Sequence, residues 1–395
     1  MSQKLISRNE VLMRLRNDGY SIETRGAFLL VGDVPYVDQA KQIRRGTLVA
    51  KLVLAGDEVL APDTHTIHFI GAYPHNADGT SIEKFRCSSE RKMLCDGVTV
   101  DHQFSAKPQP GGSYDDFYHQ VSTYCMILGG PAAEIDPTAT ARCFAPVVPD
   151  TEDDSPFHYL DTASSRAEIT QLSKKLAIGK VAIIGLGGTG AYVLDLVAKT
   201  PVGQIHLFDK DWFFSHNAFR GPGAPSLDEL RATPLKVEYF KSIYSKMHRV
   251  IVSHPVHITS ENVELLNGMD FVFLCIDDAM AKRFIVRELE GAGISFIDVG
   301  MGVYVGEDAL GGMVRVTTST PRRREHFGLH VPLADDNGDN DYDQNIQVAD
   351  LNALNATMAV IKWKKLLGFY MDFQHEHQST YAIETHLLTR AEQQA

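Results

Sequence analysis

Residues 180–220 read KVAIIGLGGTGAYVLDLVAKTPVGQIHLFDKDWFFSHNAFR, and this stretch decides the fold of the segment around it. Val181 to Ile184 is apolar and β-branched without alternation, the pattern of a parallel strand covered on both faces. Gly185, Gly187, Gly188 and Gly190 follow at once, and an apolar helix opens behind them. A second strand, Gln204 to Phe208, ends in Asp209. The glycines let a backbone approach a phosphate, and the helix N-terminus offers free N–H groups with the positive end of its dipole. Asp209 lies 209 − 190 = 19 positions beyond the last glycine, where an acid meets a ribose hydroxyl. Strand, turn, helix and acid in register form the nucleotide-binding half of a Rossmann-like α/β fold.

The rest of the composition is ordinary for a folded, soluble chain. At 395 residues two domains are expected, and 44% hydrophobic content is enough for substantial cores. A formal net charge of −12 argues against general nucleic-acid binding, which needs a positive field. The first ten residues, MSQKLISRNE, lack the apolar centre of a signal peptide, and no apolar run is long enough to span a bilayer. Cys87, Cys95, Cys125, Cys143 and Cys275 are an odd number without paired spacing, which reads as reduced thiols in a cytoplasmic protein with no zinc knuckle.

Before the glycine turn, Leu5 to Gly19 has the periodicity of an amphipathic helix. Strand-like segments at Ala27 to Val31, Thr47 to Leu54 and His65 to Ile70 suggest a small, largely antiparallel sheet. Ser113 to Leu128 reads as a helix capped by Ser113, with an aromatic core stripe and a stop at Gly129-Gly130-Pro131. The run Asp101-His102-Gln103-Phe104-Ser105 holds acid, base and hydroxyl groups, but a structural role within the sheet is the better reading. His65 and His68 would face opposite sides of a strand, so no metal is assigned there. The proline- and acid-rich segment 146–156 reads as a linker. It divides an N-terminal α+β domain, 1–155, from a nucleotide-binding domain, 160–395.

A helix is expected over Ser164 to Leu176, capped by Ser164 or Ser165. Beyond Arg220 the pattern alternates: helix Pro234–Met247, strands Val250–Ser253 and Asp270–Ile276, helix Ala279–Glu290, strand Ile294–Val299, then an antiparallel strand near Gly312–Thr318. Alternation of this kind implies a mostly parallel sheet with ligand groups at the carboxyl ends of its strands. Residues 319–346 read as a polar loop whose aspartates, from Asp335 to Asp343, miss the glycine and glutamate of a calcium loop. Gln347 to Leu367 reads as a helix buried along Leu351, Leu354, Met358 and Ile361, and the tail around Tyr381 as a further strand.

Asp209, Asp211, Asn217, Arg220, Lys236 and Asp277 fall where nucleotide phosphates should lie. Hydride transfer needs little of this set, whereas attack on the α-phosphate of ATP needs most of it. Arg220 and Lys236 suit stabilisation of charge on phosphate oxygens, and Asp277 suits Mg²⁺.

The motifs GLGGTG, DKD (Asp209 to Asp211), NAFR (Asn217 to Arg220), PLK (Pro234 to Lys236) and CIDD (Cys275 to Asp278) together resemble the ThiF, MoeB and ubiquitin-activating-enzyme superfamily over residues 165–318. The resemblance implies adenylation of the C-terminal glycine carboxylate of a ubiquitin-like or sulfur-carrier protein. It places Gly185, Gly187, Gly188 and Gly190 around the phosphates, Asp209 on the ribose, Asn217, Arg220 and Lys236 on the phosphates, and Asp277 on Mg²⁺. It also implies a homodimer in which an arginine before the first strand reaches the partner's ATP, for which Arg166 is the candidate. Gly221 replaces the family's usual glutamine, His216 its serine, and the zinc-binding cysteine pairs are absent. No cysteine follows Cys275, so the usual downstream thioester residue is missing. Direct transfer of the acyl group from the adenylate is therefore expected, or else a cysteine of the N-terminal domain serves.

The segments GTLVAKLVLAGD, HTIHFIGAYP and DHQFSAKP resemble a domain preceding ThiF-type cores in bacterial ubiquitination-like gene clusters, which suggests docking of the modifier or a conjugating enzyme. Three other readings stay open. They are adenylation of a small or RNA-linked carboxylate, an NAD-dependent oxidoreductase, and an inactive scaffold that binds a modifier.

Overall fold

A computed structural model describes residues 2–108, 111–151, 155–333 and 346–390. The aspartates from Asp335 to Asp343, and residues 152–154 of the expected linker, lie outside the described residues. The chain forms two compact units: Met1–Asp154 with Tyr159–Arg166, and Ser155–His158 with Ala167–Ala395. No helix among the described residues is long and apolar enough to cross a membrane.

The first unit is an α+β layer pair. Its six-stranded sheet runs in the order Ser21–Arg25, Phe28–Val37, Ile43–Lys51, Thr66–Ile70, His102–Ser105, Arg86–Ser88, with every neighbour antiparallel. Helix Phe117–Ile135 covers one face, burying Val121, Tyr124 and Leu128 against Leu29, Val31 and Phe69. Two expectations fail here for identifiable reasons. The cap is Asp116, not Ser113, because its carboxylate accepts from His119 N at 2.7 Å. The helix also runs through Pro131 to Ile135, since burial of Gly129 and Ala132 outweighs the Gly-Gly-Pro stop signal. Likewise the N-terminal helix divides into Ser2–Arg8 and Glu10–Asn17. Asn9, between them, spends its side chain on Leu5 O, Asp57 O and Val59 N.

His102 stands at the start of its strand with Nδ1 3.0 Å from Ser89 Oγ, and His65 Nε2 lies 3.0 Å from Ser105 Oγ. The helix expected over 164–176 is interrupted. Thr162–Arg166 and Thr170–Ser173 are separated by Glu168, whose φ of 58° no helix accommodates.

The second unit is a doubly wound α/β layer. Five parallel strands are β1 (Lys180–Ile184), β2 (Gln204–Phe208), β3 (Ile251–His254), β4 (Phe271–Leu274) and β5 (Ser295–Val305). Three antiparallel strands extend them: β6 (Leu310–Ser319), β7 (Gln378–Ala382) and β8 (Leu387–Arg390). The order is β3-β2-β1-β4-β5-β6-β7-β8. On one face Val181 and Ile183 pack against α1 (Gly188–Val197), α2 (Lys236–Tyr244) and α4 (Ala349–Leu366). On the other, Ala182, Ile184 and Phe208 pack against α3 (Ala279–Gly291). Both faces of β1 are thus covered, which is why its sequence does not alternate.

Strand order reverses between β1 and β4. The connections leaving these two strands therefore turn to opposite faces of the sheet, which opens the crevice where such folds bind ligands.

Candidate active site

A cavity of about 820 Å³ opens at those carboxyl ends. Gly185, Gly187, Gly188, Asp209, Asp211, Arg220, Lys236 and Asp277 line it, whereas Gly190 and Asn217 do not. The turn after β1 is built around backbone approach. Gly185 has φ 87°, and a Cβ there would lie 2.5 Å from Cys275 O. A Cβ on Gly190 would lie 1.9 Å from Gly185 O, so the turn and the first helical turn touch backbone to backbone. Gly187, by contrast, faces open space at the N-terminus of α1, where no side chain caps the free N–H groups.

Asp209 is buried and its two oxygens organise the turn. Oδ2 accepts from Leu186 N at 2.7 Å and Oδ1 from Asp211 N at 2.8 Å. Lys236, also buried, donates from Nζ to Asp211 Oδ2 at 2.8 Å and stands 3.7 Å from Asp209 Oδ2. Its hydrogen bond holds the Asp211 carboxyl below the usual aspartate range, although burial pushes the other way. His257 Nε2 is 3.6 Å from Asp211 Oδ1, and Asp209, Asp211 and His257 could together face a cation. The Lys236 ammonium already holds the position between the two acids.

The segment after Asp211 is fastened by paired backbone bonds, Phe213 N to Pro234 O and Lys236 N to Asp211 O. It delivers Asn217, whose Oδ1 accepts from Phe214 N at 2.9 Å and whose buried Nδ2 has no partner among the described residues. Arg220 follows on the cavity wall, with a buried Nε likewise unpartnered. Asp277 lies just beyond β4, and Asp278 caps α3 by accepting from Ala281 N at 2.9 Å. Arg166 belongs to the first unit, where its guanidinium lies 5.1 Å from the Phe144 ring centroid.

Several wall residues escaped the sequence reading. Asn352 and Asn355 on α4 are buried. Asn352 accepts from Thr189 Oγ1 at 2.8 Å and donates to Arg220 O at 3.3 Å, while Asn355 donates to Gly300 O at 2.9 Å. The buried face of α4 therefore runs through Asn352, Asn355, Ala356, Ala359 and Trp363, and Ile361, expected inside, is 40% exposed. The only sign in the sequence was a pair of asparagines three apart among the apolar residues of the helix's first half. Cys275 is half-buried on the cavity wall, and desolvation pushes its thiol far above the ordinary cysteine range.

Two family descriptions match the chain. A domain of unknown function, DUF6791, matches residues 10–162, and the ThiF family matches residues 163–393. The adenylyltransferase and sulfurtransferase UBA4 of Saccharomyces cerevisiae is 28% identical over 132 residues, 32% of this chain and 29% of that protein. The ubiquitin-like modifier-activating enzyme 5 of Culex quinquefasciatus is 21% identical over 232 residues, covering 56% of this chain and 57% of that one. The chain thus spans under a third of UBA4 and somewhat over half of the mosquito enzyme. Among solved structures, Escherichia coli MccB with MccA-N7isoASN aligns at TM-score 0.47 and 16% identity, over 58% of this chain and 70% of that one. PaaA aligns at 0.44 and 16%, over 56% and 75%. With strand, glycine turn, helix and acids in this arrangement and a match over more than half its length, the chain belongs to the ThiF family.

Proposed function

We propose that the second unit is an ATP-dependent adenylyltransferase acting on the C-terminal glycine carboxylate of a ubiquitin-like or sulfur-carrier protein. The observation that carries this reading is the placement of Lys236, Arg220 and Asp277 on the cavity that also contains the glycine turn. The residues present suit a nucleotide triphosphate. The cradle has no room for a Cβ at Gly185 or Gly190, yet is open at Gly187, beside uncapped helix N–H groups.

In this reading Gly185, Gly187, Gly188 and Gly190 shape the phosphate cradle, and Asp209 meets the ribose. Asn217 and Asp211 border the phosphates, while Arg220 and Lys236 stabilise charge that builds on their oxygens. Asp277 would hold Mg²⁺, which supplies charge neutralisation of the leaving pyrophosphate. A terminal carboxylate oxygen attacks the α-phosphorus, the bond to the bridging oxygen breaks, and pyrophosphate departs. Desolvation keeps the Cys275 thiol protonated on the cavity wall, so in this reading the acyl group passes straight from the adenylate to its acceptor.

The names of the relatives, a modifier-activating enzyme and an adenylyltransferase, support the same substrate class. A homodimer with Arg166 directed to the partner's nucleotide, and a first unit that docks the modifier or a conjugating enzyme, complete the proposal.

Pyrophosphate exchange with a panel of diglycine-ended proteins and small acids tests it. Exchange should require a diglycine-ended protein and disappear in Asp277→Ala with the fold intact. Full activity of that variant removes Asp277 from the mechanism, and exchange with small acids alone redirects the substrate class.

A further inference from the structure

A buried cluster on the cavity wall carries more positive charge than its own carboxylate cancels. Asp298 of β5, fully buried, lies 2.7 Å from Lys282 Nζ and 2.7 Å from Arg315 Nη2. Lys282 stands on α3 and Arg315 on β6, opposite Gly300 in the antiparallel register. Two cations thus face one anion. Arg315's other bond goes to a neutral group, Thr317 Oγ1 at 2.8 Å, and among the described residues no second carboxylate pairs with either cation. Only 5% of the Lys282 side chain and 15% of that of Arg315 is exposed, and both line the cavity. An enclosed surplus charge is costly unless a counter-charge joins it.

Neighbouring contacts fix where this surplus sits. The Arg315 guanidinium lies flat against Gly300, where a Cβ would come within 2.5 Å of Nη2. Gly300 O is held by Asn355, and on the same helix Asn352 packs on Gly188 of the glycine turn. From the other side, Asp298 and Lys282 act electrostatically on the Cys275 thiol, and Cys275 O abuts Gly185. The cluster therefore borders the glycine turn on the side away from Asp211 and Lys236.

We propose that Lys282 and Arg315 form the dock for the free carboxylate of the acyl substrate and hold it ionised beside the glycine turn. This rests on the adenylation reading and adds to it the residues that receive the second substrate. A phosphate chain has Arg220, Lys236 and the helix N-terminus, whereas the incoming carboxylate has no cation among those groups. Gly300, Gly302 and Gly312 line the adjoining wall, so the space suits a narrow main chain ending in small residues. Arg315 acts on substrate binding, with its fork free to share one guanidinium between Asp298 and a guest carboxylate.

A fluorescein-labelled hexapeptide ending in Gly-Gly, made as free acid and as C-terminal amide, tests the dock by anisotropy on the full chain without ATP. The wild type should favour the acid roughly tenfold to a hundredfold. Arg315→Gln should bring that ratio close to one and Arg315→Lys should keep part of it, while affinity for a non-hydrolysable ATP analogue stays unchanged. Lys282→Gln serves as the second variant if R315Q does not fold. Equal affinity for acid and amide, no measurable binding of either, or a ratio that survives R315Q overturns the dock. A preference for the acid without pyrophosphate exchange supports the dock and sinks the adenylation reading alone.

Discussion

Lys236 Nζ lies 2.8 Å from Asp211 Oδ2, an ion pair that ties the start of α2 to the loop leaving β2. Replacing Lys236 by Met strands the buried Asp209 carboxylate beside a methyl group, which should cost about 1–3 kcal/mol in denaturant midpoints. In pyrophosphate exchange the same variant should lose on the order of a hundredfold in rate, the scale of a lost oxyanion donor. The pair also has a pH signature. The folded Asp211 carboxyl titrates below its unfolded value, so its stabilisation is present above that ordinary value and is lost as pH falls through the lowered one. Asp211→Asn should remove this part of the acid sensitivity. An unchanged urea midpoint across the same acid range in both proteins would contradict it.

Gly190 and Gly187 make a matched pair of tests, because their surroundings are opposite. A Cβ on Gly190 meets Gly185 O at 1.9 Å, a backbone atom that cannot rotate away, whereas one on Gly187 meets nothing within 4 Å. Gly190→Ala should therefore cost about 1–3 kcal/mol through forced separation of turn and helix, and weaken ATP binding with it. Gly187→Ala should fold as well as the parent, and any loss it shows should appear in nucleotide affinity alone. Equal thermal stability of the two variants would mean the backbone contact is not a constraint.

How far the chain could be read in advance follows the range of the interactions involved. β1, the glycine turn, α1 and β2 were legible because each is specified within its own residues, by unbroken apolar runs, glycines and an acid at the strand end. The face of α4 was not, because Asn352 and Asn355 are buried by partners 132 and 55 positions away, Arg220 O and Gly300 O. Periodicity counts such residues as solvent-facing. The same holds for Asn9, whose partners at Asp57 and Val59 break a helix that local sequence would continue. Lys282, Asp298 and Arg315 lie on three elements, and nothing in their spacing announces that one carboxylate joins them.

His206 and His254 supply a second acid-sensitive contact, across β2 and β3. His206 Nδ1 is 3.0 Å from His254 Nε2, and the rings stack at 5.3 Å, so both partners cannot be protonated together. Burial first, then the neighbouring His254, lowers the His206 pKa to about 4. Between roughly 6.5, the unfolded value, and about 4 the unfolded chain holds the extra proton. Stability should therefore fall as pH drops through this window and level off beneath it. His206→Gln, which keeps a polar partner for Gln204, should give a shallower slope of urea midpoint against pH. A slope that does not change assigns the acid sensitivity elsewhere.

Cys275 lines the candidate site, and its chemistry tests whether it carries the acyl group. Its amide donates to Ile184 O at 2.8 Å, which fixes the end of β4 against β1 and leaves the residue half-buried on the cavity wall beside the glycine turn. Burial, followed by the Asp298 charge, raises the thiol's pKa, the reverse of what a nucleophilic cysteine needs. Cys275→Ala should therefore keep pyrophosphate exchange within about threefold while losing about 1 kcal/mol of stability from the small void it opens. Iodoacetamide should leave Cys275 unmodified in the native protein. Mass spectrometry after incubation with ATP and a diglycine-ended protein should find no thiol-sensitive adduct on this residue. Such an adduct, or abolished exchange in a folded Cys275→Ala protein, would make Cys275 the acyl carrier and end the case for direct transfer.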